Sequence, residues 1–328
     1  MKTDTSKNII RYISEHKQAT PKELVVEFDI SEQAIHKQLK NLIENGALVK
    51  SGTPPKVYYS LSESGEAGKT LDGLNVDRKI INTIDKNYLI ITPAGEMKTG
   101  WEGFAYWTQK NHLDITKTAV EYIKTLEKYL KYTKNGLISG IDKLRTSFEQ
   151  VNVDNLYYLD FYSIERFGKT RLGQLLLYSK QSQNRELIDD LVDSIKPQIM
   201  KLIHDKNVDG VAFVQPTVKR ELQFMKELEK ELNLHIRTIG IVKIKTQVIV
   251  PQKTLNKLED RIENARKTFV VEDNSKYKNI LIIDDAVGSG ATINEIAGKM
   301  REKHLTNGKI IGLAITGSFK GFDVISEV

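Results

Sequence analysis

The segment NILIIDDAVGSGAT, residues 279–292, decides how the C-terminal half of this chain folds. An apolar run of the kind that forms a buried strand ends at two adjacent acids, Asp284 and Asp285. A loop of small residues follows, and a helical pattern begins near Thr292. The glycines suggest a loop that cradles phosphate, whereas carboxylates at its entrance would repel an anion. The function of this segment must accommodate both features.

Two common phosphate-binding motifs do not fit this segment. The dinucleotide fingerprint needs a third glycine where Ile293 stands, and its acid comes about 20 residues after the glycines rather than before them. The P-loop needs Gly-Lys followed by Ser or Thr, which the segment lacks. The acids and the glycines therefore belong to another kind of site.

Strand-like and helix-like segments alternate on both sides of the motif. The strand-like segments are LYYLDFYSIERFG (156–168), VDGVAFVQP (208–216), KNILIIDD (278–285) and GKIIGLAITG (308–317). The helix-like segments include KRELQFMKELEKEL (219–232) and TINEIAGKMREKH (292–304). This alternation predicts a parallel α/β sheet, in which ligands bind at the carboxyl ends of the strands. The loops 214–220 and 284–292 follow strands and are the candidates for such a site.

The order of strand, acid pair, small-residue loop and helix resembles the phosphoribosyl diphosphate (PRPP) motif of type I phosphoribosyltransferases. The resemblance implies that loop amides, the hydroxyls of Ser289 and Thr292 and the helix N-terminus hold a 5′-phosphate. Asp284 and Asp285 would accept hydrogen bonds from the ribose hydroxyls, and they are the catalytic candidates if glycosyl transfer occurs. The diphosphate would need Mg²⁺ and basic or backbone donors. The implied PRPP-binding residues are Asp284, Asp285, Ala286, Val287, Gly288, Ser289, Gly290, Ala291, Thr292, Thr217, Lys219 and Arg220. An Asp-Asp turn that merely leads into a helix is the alternative.

Residues 155–328 also resemble the ComF competence-protein family of phosphoribosyltransferase-like proteins. The segment from Tyr162 to Lys180, the loop 214–220 and the PRPP motif carry this resemblance. Four further residues fall near the family's Gln…Arg…Asn…Phe pattern: Gln252, Arg261, Asn264 and Phe269. The zinc-finger-like cysteines usual for the family are absent, and the loop reads AVGSGAT where two threonines are commoner. These departures bear on catalysis more than on ligand binding.

Residues 19–61 contain strong helix signals followed by two strand-like runs. Thr20 and Glu23 are spaced as a capping box, Ser31 is placed to cap the next helix, and Asn45-Gly46 ends it. The order helix, helix, turn, helix, hairpin resembles the winged helix-turn-helix family, whose third helix enters the DNA major groove.

The third helix and the hairpin supply candidate contacts to bases and phosphates. These candidates are Ser31, Gln33, His36, Lys37, Lys40, Lys50 and Lys56. Residues 1–70 carry ten basic and nine acidic side chains, so the prediction of DNA binding rests on the architecture more than on charge. A winged-helix module that contacts only proteins is the alternative.

The middle of the chain follows a polar linker, residues 62–73. The sequence predicts a β-hairpin in YLIITPAGEMKTG (88–100) and an aromatic cluster around Trp101 and Trp107 that fills a core or an interface. A long helix is predicted from Asp114, and its apolar face packs either inside the chain or against a second copy. Because winged helices commonly bind paired half-sites, a homodimer is our hypothesis.

Length and composition are those of a multidomain globular protein. The 328 residues favour two or three domains, and we predict a winged helix in 1–65, a mostly helical linker or dimerisation region with a β-hairpin in 74–150, and a phosphoribosyltransferase-like α/β domain in 151–328. No apolar run approaches the roughly 20 residues of a membrane span, and the N-terminus lacks the apolar core of a signal peptide. The absence of cysteine fits a cytoplasmic protein, and the scattered histidines predict no metal site formed by the chain alone.

Three functions are compatible with these features. The leading hypothesis is a DNA-binding protein whose second domain binds PRPP or a related ribose phosphate and acts as a ligand-responsive regulator. An active phosphoribosyltransferase in DNA processing, or a DNA-associated defence effector, is the alternative. In a third, the α/β domain is a scaffold for a partner protein.

Overall fold

The computed structural model describes residues 5–45, 47–51, 57–61, 76–215, 222–244, 250 and 254–319. Within them the chain is a mixed α/β protein with a helical N-terminal part, a middle region of helices and hairpins, and a C-terminal α/β part.

The N-terminal part combines helices with a small antiparallel sheet. Its elements are α1 (Thr5–His16), β1 (Gln18–Ala19), α2 (Pro21–Phe28), α3 (Glu32–Glu44), β2 (Leu48–Ser51) and β3 (Tyr58–Leu61). The predicted capping box is confirmed, because the Thr20 hydroxyl accepts the N–H of Glu23 while the Glu23 carboxylate accepts the N–H of Thr20. The strands pair in the order β1–β3–β2. Apolar side chains such as Ile9 and Leu39 close a core that is separate from those of the α/β part.

The middle region alternates helices and short hairpins. Its elements are α4 (Arg78–Asn87), β4 (Leu89–Ile91), β5 (Met97–Thr99), α5 (Gly100–Lys110), α6 (Ile115–Leu130), β6 (Thr133–Lys134), β7 (Leu137–Ser139) and α7 (Ile141–Ser147). The predicted β-hairpin is confirmed as β4–β5. Aromatic side chains fill the core here: Phe104 is fully buried, and its ring centroid lies 5.5 Å from that of Tyr122.

The C-terminal part alternates strands and helices, as the sequence predicted. Its elements are β8 (Asn155–Phe161), β9 (Ser163–Ile164), β10 (Gly168–Lys169), α8 (Arg171–Ser182), α9 (Arg185–Asp205), β11 (Gly210–Phe213), α10 (Phe224–Leu232), β12 (Arg237–Thr238), β13 (Ile241–Lys243), α11 (Leu258–Thr268), β14 (Phe269–Val271), β15 (Ile280–Val287), α12 (Ala291–Glu302) and β16 (Ile310–Gly317).

The largest sheet formed by the described residues has seven strands in the order β12–β11–β15–β16–β8–β7–β6. The strands from β12 to β8 run parallel, and β7 and β6 are antiparallel, so the predicted α/β sheet is confirmed as mostly parallel. After β11 the chain next enters the sheet at β12, which lies on one side of β11. After β15 it next enters the sheet at β16, which lies in the opposite direction along the sheet. The strand order therefore reverses between β11 and β15, which is where open α/β sheets form a crevice at their carboxyl edge.

Both faces of this sheet are covered. Along β15, Ile280 and Ile282 belong to one buried cluster, while Leu281 and Ile283 belong to another. Strand side chains alternate between faces, so the continuous apolar run of β15 is the pattern expected of a strand buried on both sides. The alternation does not continue past the acids, because Ala286 packs against the cluster of Leu281 and Ile283 while Val287 is buried in that of Ile280 and Ile282.

The apolar face of α6 packs inside the chain. Ala119, Tyr122, Leu126 and Tyr129 are buried in the cluster that covers one face of the sheet. The sequence allowed this face to pack either inside the chain or against a second copy, and the structure shows that it packs inside the chain. The face therefore provides no dimer interface.

The large sheet includes residues from the middle region. β6 and β7 precede Val151, yet they extend the sheet through the pairing of β7 with β8. The domain boundaries given above stay a prediction. Among the described residues, no helix combines the length and the apolar character that crossing a membrane requires.

Candidate functional site

The acid pair lies inside β15. The sequence placed the end of the strand at the acids, but β15 continues through Ala286 and Val287, which pair with Thr316 and Gly317 of β16. That boundary was wrong, because small residues do not stop a strand that is paired along its length.

Asp285 forms an ion pair with Lys180 of α8. The Lys180 Nζ lies 2.5 Å from the Asp285 Oδ2, and both side chains are largely buried. A lysine in such a place is held by its countercharge, because an unpaired buried charge is costly. Asp285 therefore faces a cation that also contacts the aromatic ring of Phe224, with Nζ 6.0 Å from the ring centroid.

Asp284 lies in a different electrostatic environment. Burial, and then the negative charge of Asp285, raise its pKa to about 8. The N–H of Asp285, which donates to Asp284 Oδ1 at 2.9 Å, and the charges of Lys180 and Lys243 oppose this rise. Burial also lowers the pKa of Lys243 to about 8, although Asp284 favours its charged form. The strand end thus has a carboxyl and an amine that both titrate near neutral pH.

The raised pKa of Asp284 predicts a pH-dependent stability. Its folded pKa of about 8 exceeds the ordinary value of 3.8, so the folded state binds the proton more tightly than the unfolded chain does. Stability contributed by the protonated carboxyl is therefore lost as the pH rises from 3.8 towards about 8. Denaturant titrations across this range should show the free energy of unfolding of the wild type falling relative to that of Asp284→Asn. Parallel curves would contradict the assignment.

The loop between β15 and α12 brings backbone amides to the strand end. Ser289 is buried, and its Oγ accepts the N–H of Ala291 at 3.3 Å. Gly290 is the N-cap of α12 and has no side chain with which to cap it, so among the described side chains the helix start is bonded by that of Ser289 at Ala291. The other first-turn amides and the helix dipole favour an anion at this end. The half-buried Thr292 adds a hydroxyl in the first turn.

The residues predicted for the diphosphate lie outside the described part of the chain. These are Thr217, Lys219 and Arg220. The described strand β11 ends beside β15, with Phe213 opposite Ile283, so the chain after β11 starts at the carboxyl edge next to the acids. The residues of the site that the structure does bring together are those from Asp284 to Thr292.

The residues that matched the Gln…Arg…Asn…Phe pattern have structural roles where they are described. Arg261 is buried, and its Nε donates to the Leu255 carbonyl at 2.7 Å. Phe269 is buried in the core, and the Asn264 Nδ2 donates to the Val250 carbonyl at 3.4 Å. Gln252 lies outside the described residues.

Sequence reasoning missed Lys180 and Lys243. Lys180 is 105 residues from its partner Asp285, and no local pattern signals such a contact. Lys243 ends β13, and its Nζ lies 4.5 Å from the centroid of the Phe269 ring. A weak signal existed for Lys180 alone, which ends the Tyr162-to-Lys180 segment used for the family resemblance.

The residues of the strand end do not form a complete metal site. The described residues include no group of three or more His, Asp or Glu side chains able to hold a metal ion. This arrangement fits Mg²⁺ only as an ion that arrives with a diphosphate, since Mg²⁺ keeps waters and binds substrate phosphates.

The candidate DNA-binding face is formed by α3. Gln33, His36, Lys37 and Lys40 are exposed on the side opposite the buried Ile35 and Leu39. The neighbouring acids Glu32 and Glu44 lie 3.7 Å from His36 and 3.8 Å from Lys40, as exposed pairs that contribute little to stability.

The remaining predicted DNA contacts are dispersed. The Ser31 hydroxyl caps α3, accepting the Ala34 N–H at 3.4 Å. Lys50 is exposed on β2 of the wing, and Lys56 lies outside the described residues.

Comparison with known proteins assigns the N-terminal part. Residues 2–49 match the family model of the winged helix-turn-helix DNA-binding domain. The chain therefore has a winged helix-turn-helix DNA-binding domain at its N-terminus, and DNA is the partner that this domain indicates. A search of curated proteins returned no match.

Among solved structures, one similar chain is a hypoxanthine phosphoribosyltransferase from Staphylococcus aureus. The sequences are 13% identical, and the match covers 42% of this chain and 78% of that one, with a TM-score of 0.24. A TM-score this low supports no conclusion about this chain.

Proposed function

We propose that this chain is a cytoplasmic DNA-binding protein whose C-terminal part has a phosphoribosyltransferase-like fold and binds PRPP or a related ribose phosphate. The observation that carries the proposal is the placement of Asp284 and Asp285 shortly before the N-terminus of α12, whose N-cap Gly290 has no side chain. A ligand that is both sugar and phosphate needs acceptors for hydroxyls next to donors for an anion, and this strand end offers both.

The topology supports the proposed position of the ligand. The acids lie at the carboxyl edge of the sheet, beside the point where the strand order reverses between β11 and β15. Ligands of open α/β sheets bind in the crevice at such a point. The 5′-phosphate would lie against the loop from Gly288 to Thr292, and the ribose against the acids.

The ion pair between Asp285 and Lys180 is a contact that the ligand would partly replace. In the protein alone Lys180 holds Asp285 at 2.5 Å. A ribose hydroxyl that donates to Asp285 would share this carboxylate with Lys180, whose ammonium can then turn towards a phosphate oxygen. Mg²⁺, when bound with the ligand, would neutralise part of the diphosphate charge.

In this proposal, binding of the ribose phosphate regulates DNA binding. A ligand shifts the affinity of a second site only as far as it favours one of two conformations, and the effect is reciprocal. The affinity for a duplex selected from a random pool should therefore change severalfold when PRPP and Mg²⁺ are added, as measured by fluorescence anisotropy. Asp285→Asn should remove the change. An affinity that is identical with and without PRPP would contradict the regulatory role.

Homodimerisation stays part of the proposal. Two winged helices related by a two-fold axis would read paired half-sites. Because α6 is covered inside the chain, the interface would use another surface. A sedimentation experiment that finds only monomer up to high concentration would rule out this part of the proposal.

The alternative function is an active phosphoribosyltransferase that acts in DNA processing or as a DNA-associated defence effector. One observation favours it: the pKa of Asp284 is raised to about 8, which suits a group that exchanges protons near neutral pH. Release of diphosphate from PRPP in the presence of candidate acceptors would support this function. Asp284→Asn should abolish the release, and unchanged release would exclude a catalytic role for this carboxyl.

A further inference from the structure

A cavity lies between the middle region and the α/β sheet, away from the acid pair. Its volume is about 350 Å³, and it is lined by residues of α4, α6, β8 and the start of α8. Asp160, which lines it, is opposite Thr316 in the sheet, and Thr316 is opposite Ala286. The cavity is thus two strand spacings, about 10 Å, from the end of β15.

Aromatic side chains form part of the cavity lining. The rings of Tyr122 and Phe167 have centroids 5.1 Å apart, and those of Tyr129 and Phe161 are 5.4 Å apart. The hydroxyl of Tyr122 donates to the Asn87 carbonyl at 3.3 Å, so its polar end is already bound to the protein. Both ring pairs are packed edge to face, and an aromatic lining of this kind suits a ligand that carries an aromatic ring.

A carboxylate lies among these rings. The N–H of Phe161 donates to Asp160 Oδ1 at 2.8 Å, and the Thr170 side chain also bonds to this carboxylate. The Thr170 hydroxyl has one proton to donate, and its oxygen lies 2.7 Å from the Phe161 carbonyl, so Asp160 competes with that carbonyl for this proton. A carboxylate has about four lone-pair sites, so Asp160 can accept further hydrogen bonds from a ligand. Burial raises its pKa to about 6, as expected for an acid with few donors.

The opening of the cavity is cationic. Lys86 is exposed, and Lys169 and Arg171 are half-buried, so their charges lie where the cavity meets solvent. Arg171 is also the first residue of α8, whose dipole favours an anion at this end. A ligand that fits this cavity has a flat ring with N–H donors inside the cavity and an anionic group at its cationic opening.

We propose that this cavity binds a nucleoside monophosphate, with the base between the aromatic walls and against Asp160 and the phosphate at Lys169 and Arg171. The volume lies near the lower end of the roughly 300–1,000 Å³ of small-molecule sites, so it suits a mononucleotide rather than a dinucleotide. The site is separate from the ribose-phosphate site proposed above and does not depend on it.

The test is calorimetric titration of the full chain with AMP, GMP, CMP and UMP, each beside its nucleoside and inorganic phosphate. We expect at least one mononucleotide to bind, its nucleoside to bind about tenfold more weakly and phosphate alone not to bind. The fluorescence of the two tryptophans gives a second readout, because the Trp107 ring lies 5.5 Å from Phe167 in the cavity wall. Failure of all four nucleotides to bind would overturn the proposal.

Single substitutions test whether the nucleotide binds in this cavity. Asp160→Asn keeps an oxygen for the Phe161 N–H and should weaken nucleotide and nucleoside by about tenfold, since it loses a charged acceptor. Arg171→Ala should weaken the nucleotide alone, and the exposed Lys117→Ala serves as a matched control. If Asp160→Asn does not fold, Leu130→Phe is the second variant. Leu130 is half-exposed in the cavity lining, so a larger side chain there should narrow the opening and weaken nucleotide binding as well.

Competition separates the two sites. Excess PRPP should leave the nucleotide bound at the cavity. Displacement of the nucleotide by PRPP, or wild-type affinity in both Arg171→Ala and Leu130→Phe, would overturn the assignment to this cavity.

Discussion

Replacement of Gly290 by alanine is expected to destabilise the α/β part by about 2–5 kcal/mol and to abolish binding of ribose phosphate. Gly290 has a φ of +81°, where an L-residue costs roughly 1–2 kcal/mol. An added Cβ would also lie 2.4 Å from the Cδ2 of Leu144, which is fully buried and cannot easily move. Overpacking of this kind costs roughly 1–3 kcal/mol more, and relief of the clash would displace the start of α12.

Gly95→Ala is the matched control for this substitution. Gly95 has a φ of +82°, but nothing lies within 4 Å of an added Cβ. Chemical denaturation should show that Gly95→Ala pays only the conformational cost of about 1–2 kcal/mol and binds ligand like the wild type. Equal losses in the two variants would show that the contact with Leu144 is not what fixes the loop.

Replacement of Lys37 and Lys40 by alanine is expected to weaken DNA binding severalfold and to flatten its salt dependence. Both lysines are exposed on α3, and each phosphate contact that is lost removes about 0.9 from the slope of log affinity against log salt. The double variant should therefore reduce the slope by up to about 1.8. Fluorescence anisotropy between low and moderate salt measures it.

The control for this experiment removes the same charge elsewhere. Lys124 and Lys128 are exposed on α6, outside the winged helix. Lys124→Ala with Lys128→Ala should leave the slope unchanged if α3 is the DNA-binding helix. A slope that falls equally in both double variants would indicate that only the net charge matters.

The sequence predicted most of the local structure, because local signals determine it. The capping box at Thr20 and the N-cap at Ser31 depend on residues a few positions apart, and both are present. The parallel sheet followed from the alternation of apolar runs with amphipathic segments. The winged helix followed from the order and spacing of its elements.

Contacts between distant segments could not be predicted in this way. The pairing of Lys180 with Asp285 and the approach of Lys243 to Asp284 depend on how helices and hairpins pack on the sheet. The extension of the sheet by β6 and β7 arises from tertiary pairing of short strands that have little signal of their own.

The structure changes what the acid pair is expected to do. Asp285 is neutralised by a lysine, whereas the pKa of Asp284 is raised by burial and by its neighbour. The two acids are therefore not equivalent acceptors. In our proposal the carboxylate of Asp285 is shared between a ribose hydroxyl and Lys180. The charge of Asp284, which lies beside Lys243, changes with pH.

The most direct test of the account is a calorimetric titration of PRPP with Mg²⁺ into the wild type, Asp285→Asn and the control Asp189→Asn. Asp189 is an exposed acid on α9 and is not part of the site. We expect saturable binding to the wild type and the control, and binding at least about tenfold weaker to Asp285→Asn, which loses a charged acceptor. No binding to the wild type, or equal affinity in all three proteins, would contradict a ribose-phosphate site at the end of β15.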